Sequence, residues 1–300
     1  MAGEDPDVAG TGWLIRVLAI RRVCSCAGVA AVALCALSPG IMDAQILFAA
    51  VADSSHSAPP ADARITYGSA PTQFVDLRIP VGRGPFPVVM LIHGGCWRAQ
   101  YDLAHLAGAA EALRAAGFAT WSVEYRRVGD EGGGDPGTFD DIRAAYDSLV
   151  AHTRRFALDA KRIVLAGHSA GGHLALWLAS EPHVKVRGVV AMAGITDLAA
   201  FVSPTGCGAV VPLLLGGTPA EIPTTYEARS PVARPAAHAP VTLVVARDDH
   251  TVPQSQSDAY VARFPSVRVV SVPGGHFDLV APWSDAWATV LSAIQALTGR

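Results

Sequence analysis

An apolar, β-branched run, Ile163-Val164-Leu165-Ala166, stops abruptly at Gly167-His168-Ser169-Ala170-Gly171-Gly172-His173 and resumes as Leu174-Ala175-Leu176-Trp177-Leu178-Ala179. The first run has the composition of a buried strand and the last that of a helix, so the chain has to turn sharply between them. Glycines at 167 and 171 permit that turn, because a side chain at either position would strike neighbouring backbone, while Ser169 is left projecting with its hydroxyl exposed. The pattern is G-x-S-x-G, a strained strand-to-helix turn that presents a serine. A serine hydroxyl is a weak nucleophile. The pattern therefore carries chemistry only if a base, an orienting acid and an oxyanion site are found elsewhere in the chain.

The surrounding order of elements supplies a place to look for them. Ile65–Tyr67 and Phe74–Ile79 read as a first pair of strands, Phe86–Ile92 as a continuous apolar strand, and 103–116 as a helix closed by Gly117. A strand over Phe118–Glu124 follows, then a glycine-rich loop and a helix over Thr138–His152, with Thr138 as the expected N-cap. Beyond the serine turn come strands at Val186–Met192, Val241–Ala246 and Val267–Val272, with helices over Gln254–Phe264 and 283–297. Continuous apolar strands alternating with helices imply an α/β fold with a mainly parallel sheet covered on both faces. In such sheets reactive groups lie beyond the carboxyl ends of the strands, so each candidate should directly follow a strand.

Three candidates meet that condition. His276 follows the strand Val267–Val272 through Pro273-Gly274-Gly275 and is the expected base. His168 flanks the serine with its ring expected to point away from the hydroxyl, and His173 in the following helix is expected to pack or to bond a loop. The strand Val241–Ala246 runs into Arg247-Asp248-Asp249-His250-Thr251-Val252-Pro253, where two aspartates compete for the role of acid. Asp278 is a poorer candidate because it would share a loop with the base. For the oxyanion site, the Ala170 amide follows the serine directly. The loop after Phe86–Ile92, His93-Gly94-Gly95-Cys96-Trp97, can bring a second amide close to a substrate oxygen, with Gly95 first and Gly94 or Cys96 beside it.

Together these segments resemble the α/β-hydrolase family over residues 64–300, and within it the branch of kynurenine formamidase-like enzymes and bifunctional feruloyl/acetyl-xylan esterase-like domains. The resemblance implies an eight-stranded, mostly parallel sheet with an antiparallel second strand. It selects Asp249 as the acid, through the arrangement Asp249-x-x-Val252-Pro253, and gives the run Glu124-Tyr125-Arg126-Arg127 a structural role. It implies hydrolysis of carboxylic esters of small or medium size through an acyl-enzyme on Ser169, with no cofactor and no metal. Amide chemistry on the same groups is the alternative, as an arylformamidase or a peptidase, and a non-catalytic binding domain is the remote one. Residues 198–239 sit where the fold inserts a cap, expected to line the substrate pocket with Cys96, Trp97 and His168. Cys96 departs from the bulky residue common at its position. Cys207 lies in the cap, so a bridge to Cys96 and a pair of free thiols both stand open.

The first residues fall outside this scheme. Arg16, Arg21 and Arg22 precede a small, apolar run, Cys24 to Leu37, in the order of a charged n-region and an h-region. Ala50-Val51-Ala52 and Met42-Asp43-Ala44 are both candidate cleavage sites. The expected organisation is a signal peptide or membrane anchor over 1–52, a polar linker over 53–63 and the catalytic domain over 64–300. That implies an exported or membrane-anchored protein, whereas a start codon assigned too far upstream would leave it cytoplasmic. With 51% hydrophobic residues, 16% charged residues, a net charge of −3 and no basic stripe, the composition points to a large core and away from nucleic acid. The expected partner is a small ester or amide; nothing in the sequence sets the oligomeric state.

Overall fold

The computed structural model describes residues 45–299. One sheet organises them: β1 (Ala63–Thr66), β2 (Phe74–Arg78), β3 (Phe86–Ile92), β4 (Ala119–Val123), β5 (Leu158–His168), β6 (Gly188–Met192), β7 (Val241–Ala246) and β8 (Arg268–Val272), in the spatial order β1-β2-β4-β3-β5-β6-β7-β8. β2 is antiparallel to both its neighbours, and β3 to β8 run parallel. Every residue of β3, β4 and β6 is buried, as strands covered on both faces require; β3 and β6 are apolar throughout, while β4 also buries Thr120 and Ser122. The edges differ: β1 alternates between half-buried and exposed, and β8 is largely exposed until Val272.

The covering helices are α1 (Phe48–His56), α2 (Ala107–Ala115), α3 (Gly137–His152), α4 (Ala170–Ala179), the short α5 (Leu198–Phe201), α6 (Val211–Leu215) and α7 (Pro223–Arg229), then α8 (Ser255–Arg263) and α9 (Asp285–Thr298). All of α4 is buried, which explains why its sequence has no polar face. α9 starts where Ser284 Oγ accepts from the Trp287 amide and ends at Gly299 in the left-handed region.

Topology decides where a site can form. From β3 the chain crosses to β4 on one side, and from β4 it returns past β3 to β5 on the other. β3 and β5 are neighbours whose onward connections leave in opposite directions, so a crevice opens at their carboxyl ends. The loop 93–97 and Ser169 both lie there.

Two local expectations are corrected. Thr138 is not an N-cap: α3 begins at Gly137, and the Thr138 hydroxyl donates to Arg126 O while accepting from the Gly134 amide. The threonine is held inward because the chain before α3 folds back over the residues that follow β4. The stretch read as a linker, 53–63, instead completes α1 and runs into β1. Only Val51 and Ser55 of α1 are buried, four residues apart on one helical face, so the hydrophobic signal is a single residue wide. The segment from Cys24 to Leu37 lies outside the described residues, and among the described ones no helix is long and apolar enough to cross a membrane.

Candidate active site

Ser169 stands between β5 and α4 with φ 57° and ψ −121°, a backbone conformation that non-glycine residues rarely adopt. Its amide donates to Met192 O at 2.8 Å, which ties the turn to β6. The two glycines of the motif are sterically obligatory. A Cβ at 167 would lie 2.1 Å from Gly171 O, and one at 171 would lie 2.1 Å from Ile92 O. The strained residue is thus fixed by the close approach of strand, helix and β3 rather than by its own preference.

His276 arrives from the loop after β8, and its Nδ1–H donates to Asp249 Oδ2 at 2.7 Å. Asp249 Oδ1 accepts from the amides of Thr251 and Val252 at 2.7 and 2.9 Å. Burial opposes the charge on Asp249, but the bond and charge of His276 and the two amides outweigh it, so its pKa lies below the ordinary carboxylate value. Asp248 contributes only main-chain atoms, its amide donating to Gly274 O and its carbonyl accepting from Gln45. Asp278 braces the histidine loop: its Oδ2 accepts from the Gly275 and Ile46 amides. The rings of His168 and His276 lie 4.4 Å apart, and His168 Nε2–H donates to His276 O at 2.9 Å. Burial first, and the nearby His276 second, push the His168 pKa well below its usual value, so it stays neutral and acts as a strut between the turn and the base loop.

The loop after β3 passes beside the serine. A Cβ on Gly94 would lie 3.0 Å from Ser169 Cβ, and one on Gly95, where φ is 102°, would lie 2.3 Å from Tyr101 Cβ. Gly95, Cys96 and Trp97 all have positive φ. The second and third are unusual for side-chain-bearing residues, so the surroundings must hold them. Several contacts do so. His93 stacks on Tyr125, whose hydroxyl donates to His93 O at 2.9 Å. His93 Nε2 meets Glu124 Oε1 at 3.2 Å, and Glu124 also takes Arg127 at 2.8 Å and the Leu103 amide at 2.9 Å. Burial penalises the Glu124 carboxylate, yet His93, Arg127 and that amide more than compensate and lower its pKa. Arg126 pairs with Asp141 through both carboxylate oxygens, the structural role expected of it. The Ala170 amide opens α4, where the first amides of a helix have no intrahelical acceptor.

A cavity of about 260 Å3 brings Ser169 and His276 together with Gly95, Cys96 and His168, each a residue expected at the site. Cys96 is bonded to Cys207, with Cα atoms 5.0 Å apart, so the cap is tied to the loop after β3. Trp97 is corrected. It is fully buried, lines no part of this cavity and packs edge-on against His173. The left-handed turn at 96–97 sends alternate side chains apart, Cys96 to the cavity and Trp97 to the core. Sequence reasoning missed Tyr101, His105, Phe277 and Phe48, which line the cavity as well. Phe277 was discoverable as the neighbour of the base. Phe48 carried no signal, because it sits in a segment read as a leader. A second, more polar cavity of about 610 Å3 adjoins the first across Cys96, Tyr101, Cys207 and Thr251, and is edged by Arg98, His250 and the 200–208 part of the cap. Among the described residues, no cluster of three or more His, Cys, Asp or Glu is placed to hold a metal ion.

Residues 75–264 match the BD-FAE family over more than half of the chain. The chain belongs to the BD-FAE family. It is 28% identical over 247 residues to a protein named esterase LipC of Mycobacterium tuberculosis, a match that covers 72% of this chain and 60% of that relative. The chain thus spans about three fifths of the length of the curated relative it matches. A truncated carbohydrate esterase from gut microbiota superposes with a TM-score of 0.70 at 19% identity, covering 81% of this chain and 98% of the other. Esterase B from Lactobacillus rhamnosis superposes with a TM-score of 0.68 at 20% identity, covering 84% and 91%. At these identities the superpositions establish a shared α/β-hydrolase fold, as the sequence led one to expect.

Proposed function

We propose that this protein is a serine hydrolase of carboxylic esters. The observation that carries the reading is the bond of 2.7 Å from His276 to Asp249, with His276 lining one cavity together with Ser169 on its strained turn. With Nδ1–H bound to Asp249, the Nε2 of His276 is free to accept a proton. Ser169 Oγ bonds to the ester carbonyl carbon as its proton passes to Nε2. The carbonyl electrons move onto oxygen, where the amides of Ala170 and Gly95, with Gly94 shaping the loop, face the developing charge. The oxyanion collapses, the C–O bond to the alcohol breaks, and the leaving alkoxide takes the proton from Nε2. Water, deprotonated by Nε2, then attacks the acyl-enzyme, and Ser169 recovers its proton as the acid departs.

The cavity size favours small acyl groups. At about 260 Å3 it lies just under the range of about 300–1,000 Å3 common for ligand pockets. Its lining is mainly apolar, while the adjoining cavity offers Arg98, Gln100 and His250 to a polar alcohol portion. The names of the relatives, all esterases, support the same reaction class. The charged and apolar order of residues 16–37 supports export, with the protein acting on esters outside the cytoplasm. A fluorophosphonate probe tests the nucleophile: the wild type should be labelled and Ser169→Ala should not. A panel of p-nitrophenyl esters, acetylated sugars, N-formylkynurenine and a peptide anilide tests the bond. A preference of several decades for the formamide or the anilide would replace the ester reading with amide hydrolysis.

A further inference from the structure

Helix α1 lies outside the span that matches the BD-FAE family, yet it reaches the catalytic cavity. Phe48, at its first turn, lines that cavity together with Ser169 and His276. Its ring lies 5.4 Å from that of Tyr101, 5.6 Å from that of His105 and 5.6 Å from that of Phe277, and all three of those residues line the cavity too. Phe48 is therefore the centre of an aromatic wall, not an isolated side chain resting on the surface. It is also half-buried, although its neighbours Leu47 and Ala49 are exposed.

The segment is clasped on both sides of that ring. Before it, Gln45 Nε2 donates to Asp248 O at 2.7 Å and the Ile46 amide donates to Asp278 Oδ2 at 3.1 Å. Those acceptors belong to the loops that carry Asp249 and His276. After it, Val51 is 1% exposed within the core, and Ser55 Oγ donates to His105 O at 2.8 Å while accepting from the Gly108 amide at 3.2 Å. His105 is thereby held on its main chain by Ser55 and faces Phe48 with its ring. Burial pushes its pKa down to about 3, so at neutral pH it presents an uncharged, apolar face to the cavity.

We infer that Phe48 is a specificity-determining residue: carried in by α1 from outside the family span, it closes the apolar end of the catalytic cavity and limits the length of acyl chain that Ser169 accepts. This rests on the reading of Ser169 as the nucleophile of acyl transfer. It also constrains processing. Cleavage after Ala52 would remove Phe48 and Val51 and leave the aromatic wall open, whereas cleavage after Ala44 would leave Gln45 and the whole clasp in place. The mature protein therefore begins at or before Gln45.

The test uses the full chain and reads the pocket apart from the natural substrate. Ser169 is titrated with p-nitrophenyl alkylphosphonates bearing propyl or heptyl chains, and the ratio of second-order inactivation rates, heptyl over propyl, is compared between variants. In the wild type the ratio is below one. Phe48→Ala raises it by about tenfold, on the scale by which a few methylenes are discriminated in an apolar pocket. Phe48→Trp lowers it further, and that opposite shift keeps the test decisive should the alanine variant fold poorly. A ratio unchanged in both variants overturns the inference. Because phosphonylation needs only the activated serine, a protein that reacts with these probes but cleaves no ester refutes the ester reading while still reporting on Phe48. Intact mass of the protein recovered after expression with its own N-terminus decides the second point: a first residue at 45 or earlier supports it, and a chain beginning at Asp53 overturns it.

Discussion

Asp249 performs two tasks with its two oxygens. Oδ2 takes the proton-bearing Nδ1 of His276, and Oδ1 holds the amides of Thr251 and Val252. An asparagine here keeps the loop, since its carbonyl oxygen can still accept from the two amides. Its NH2 group would then face Nδ1 and force the imidazole proton onto Nε2, where it can no longer accept from Ser169. Asp249→Asn is therefore expected to fold normally and to lose about 10³–10⁴-fold in kcat with little change in KM. A loss confined to KM would show that Asp249 binds substrate instead of orienting the base. At this scale much was legible in the sequence. Ser169, His276 and the two aspartates each follow a strand, and that single geometric rule found them. Sequence spacing alone did not separate Asp248 from Asp249; the bond to His276 does. Nor could spacing reveal that Trp97 points into the core, because the direction depends on three consecutive residues with positive φ.

At the scale of elements, the loop after β3 and the cap are joined through Cys96 and Cys207, which are 111 residues apart in the chain. A cross-link closing so long a loop restricts the unfolded chain strongly, and its loss is expected to lower stability by about 3 kcal/mol. Cys207→Ser should therefore show a lower denaturation midpoint, and treatment of the wild type with a reductant should reproduce it. An unchanged midpoint in both would mean the bridge does not form in solution. The bridge also separates the two cavities, so the same variant reports on whether the wall between acyl and alcohol portions needs it. The cap's short helices, α5 to α7, leave no pattern in the sequence. Each is seven residues or fewer, too short for periodicity to show. α1 was hidden for another reason: an apolar leader-like context and a polar Asp53-Ser54-Ser55-His56-Ser57 tail masked a helix whose buried face is one valine and one serine.

Across the whole molecule, several histidines are folded in as neutral rings. His173 is fully buried; its Nε2–H donates to Arg229 O at 2.9 Å and its Nδ1 has no hydrogen-bond partner among the described residues. Burial, with the Arg229 charge adding to it, lowers its pKa from 6.5 to about 4. Between those values the unfolded chain binds a proton that the folded chain refuses, so stability is complete above about pH 6.5 and falls as pH drops toward 4. That loss amounts to about 3 kcal/mol for this one residue. Denaturant titrations across this window should show the midpoint falling with pH, and His173→Gln should fall less steeply; parallel profiles would exclude the histidine as the cause. The sequence by itself determined the parallel sheet, its strand order along the chain, the serine turn and the strand ends on which a site could be built. These follow from local composition and from steric rules that act over a few residues. Only the tertiary structure decided that Cys96 and Cys207 bond, that Trp97 belongs to the core and that Phe48 belongs to the pocket. Each of those depends on the meeting of segments far apart in sequence, and no local pattern encodes where a distant segment will land.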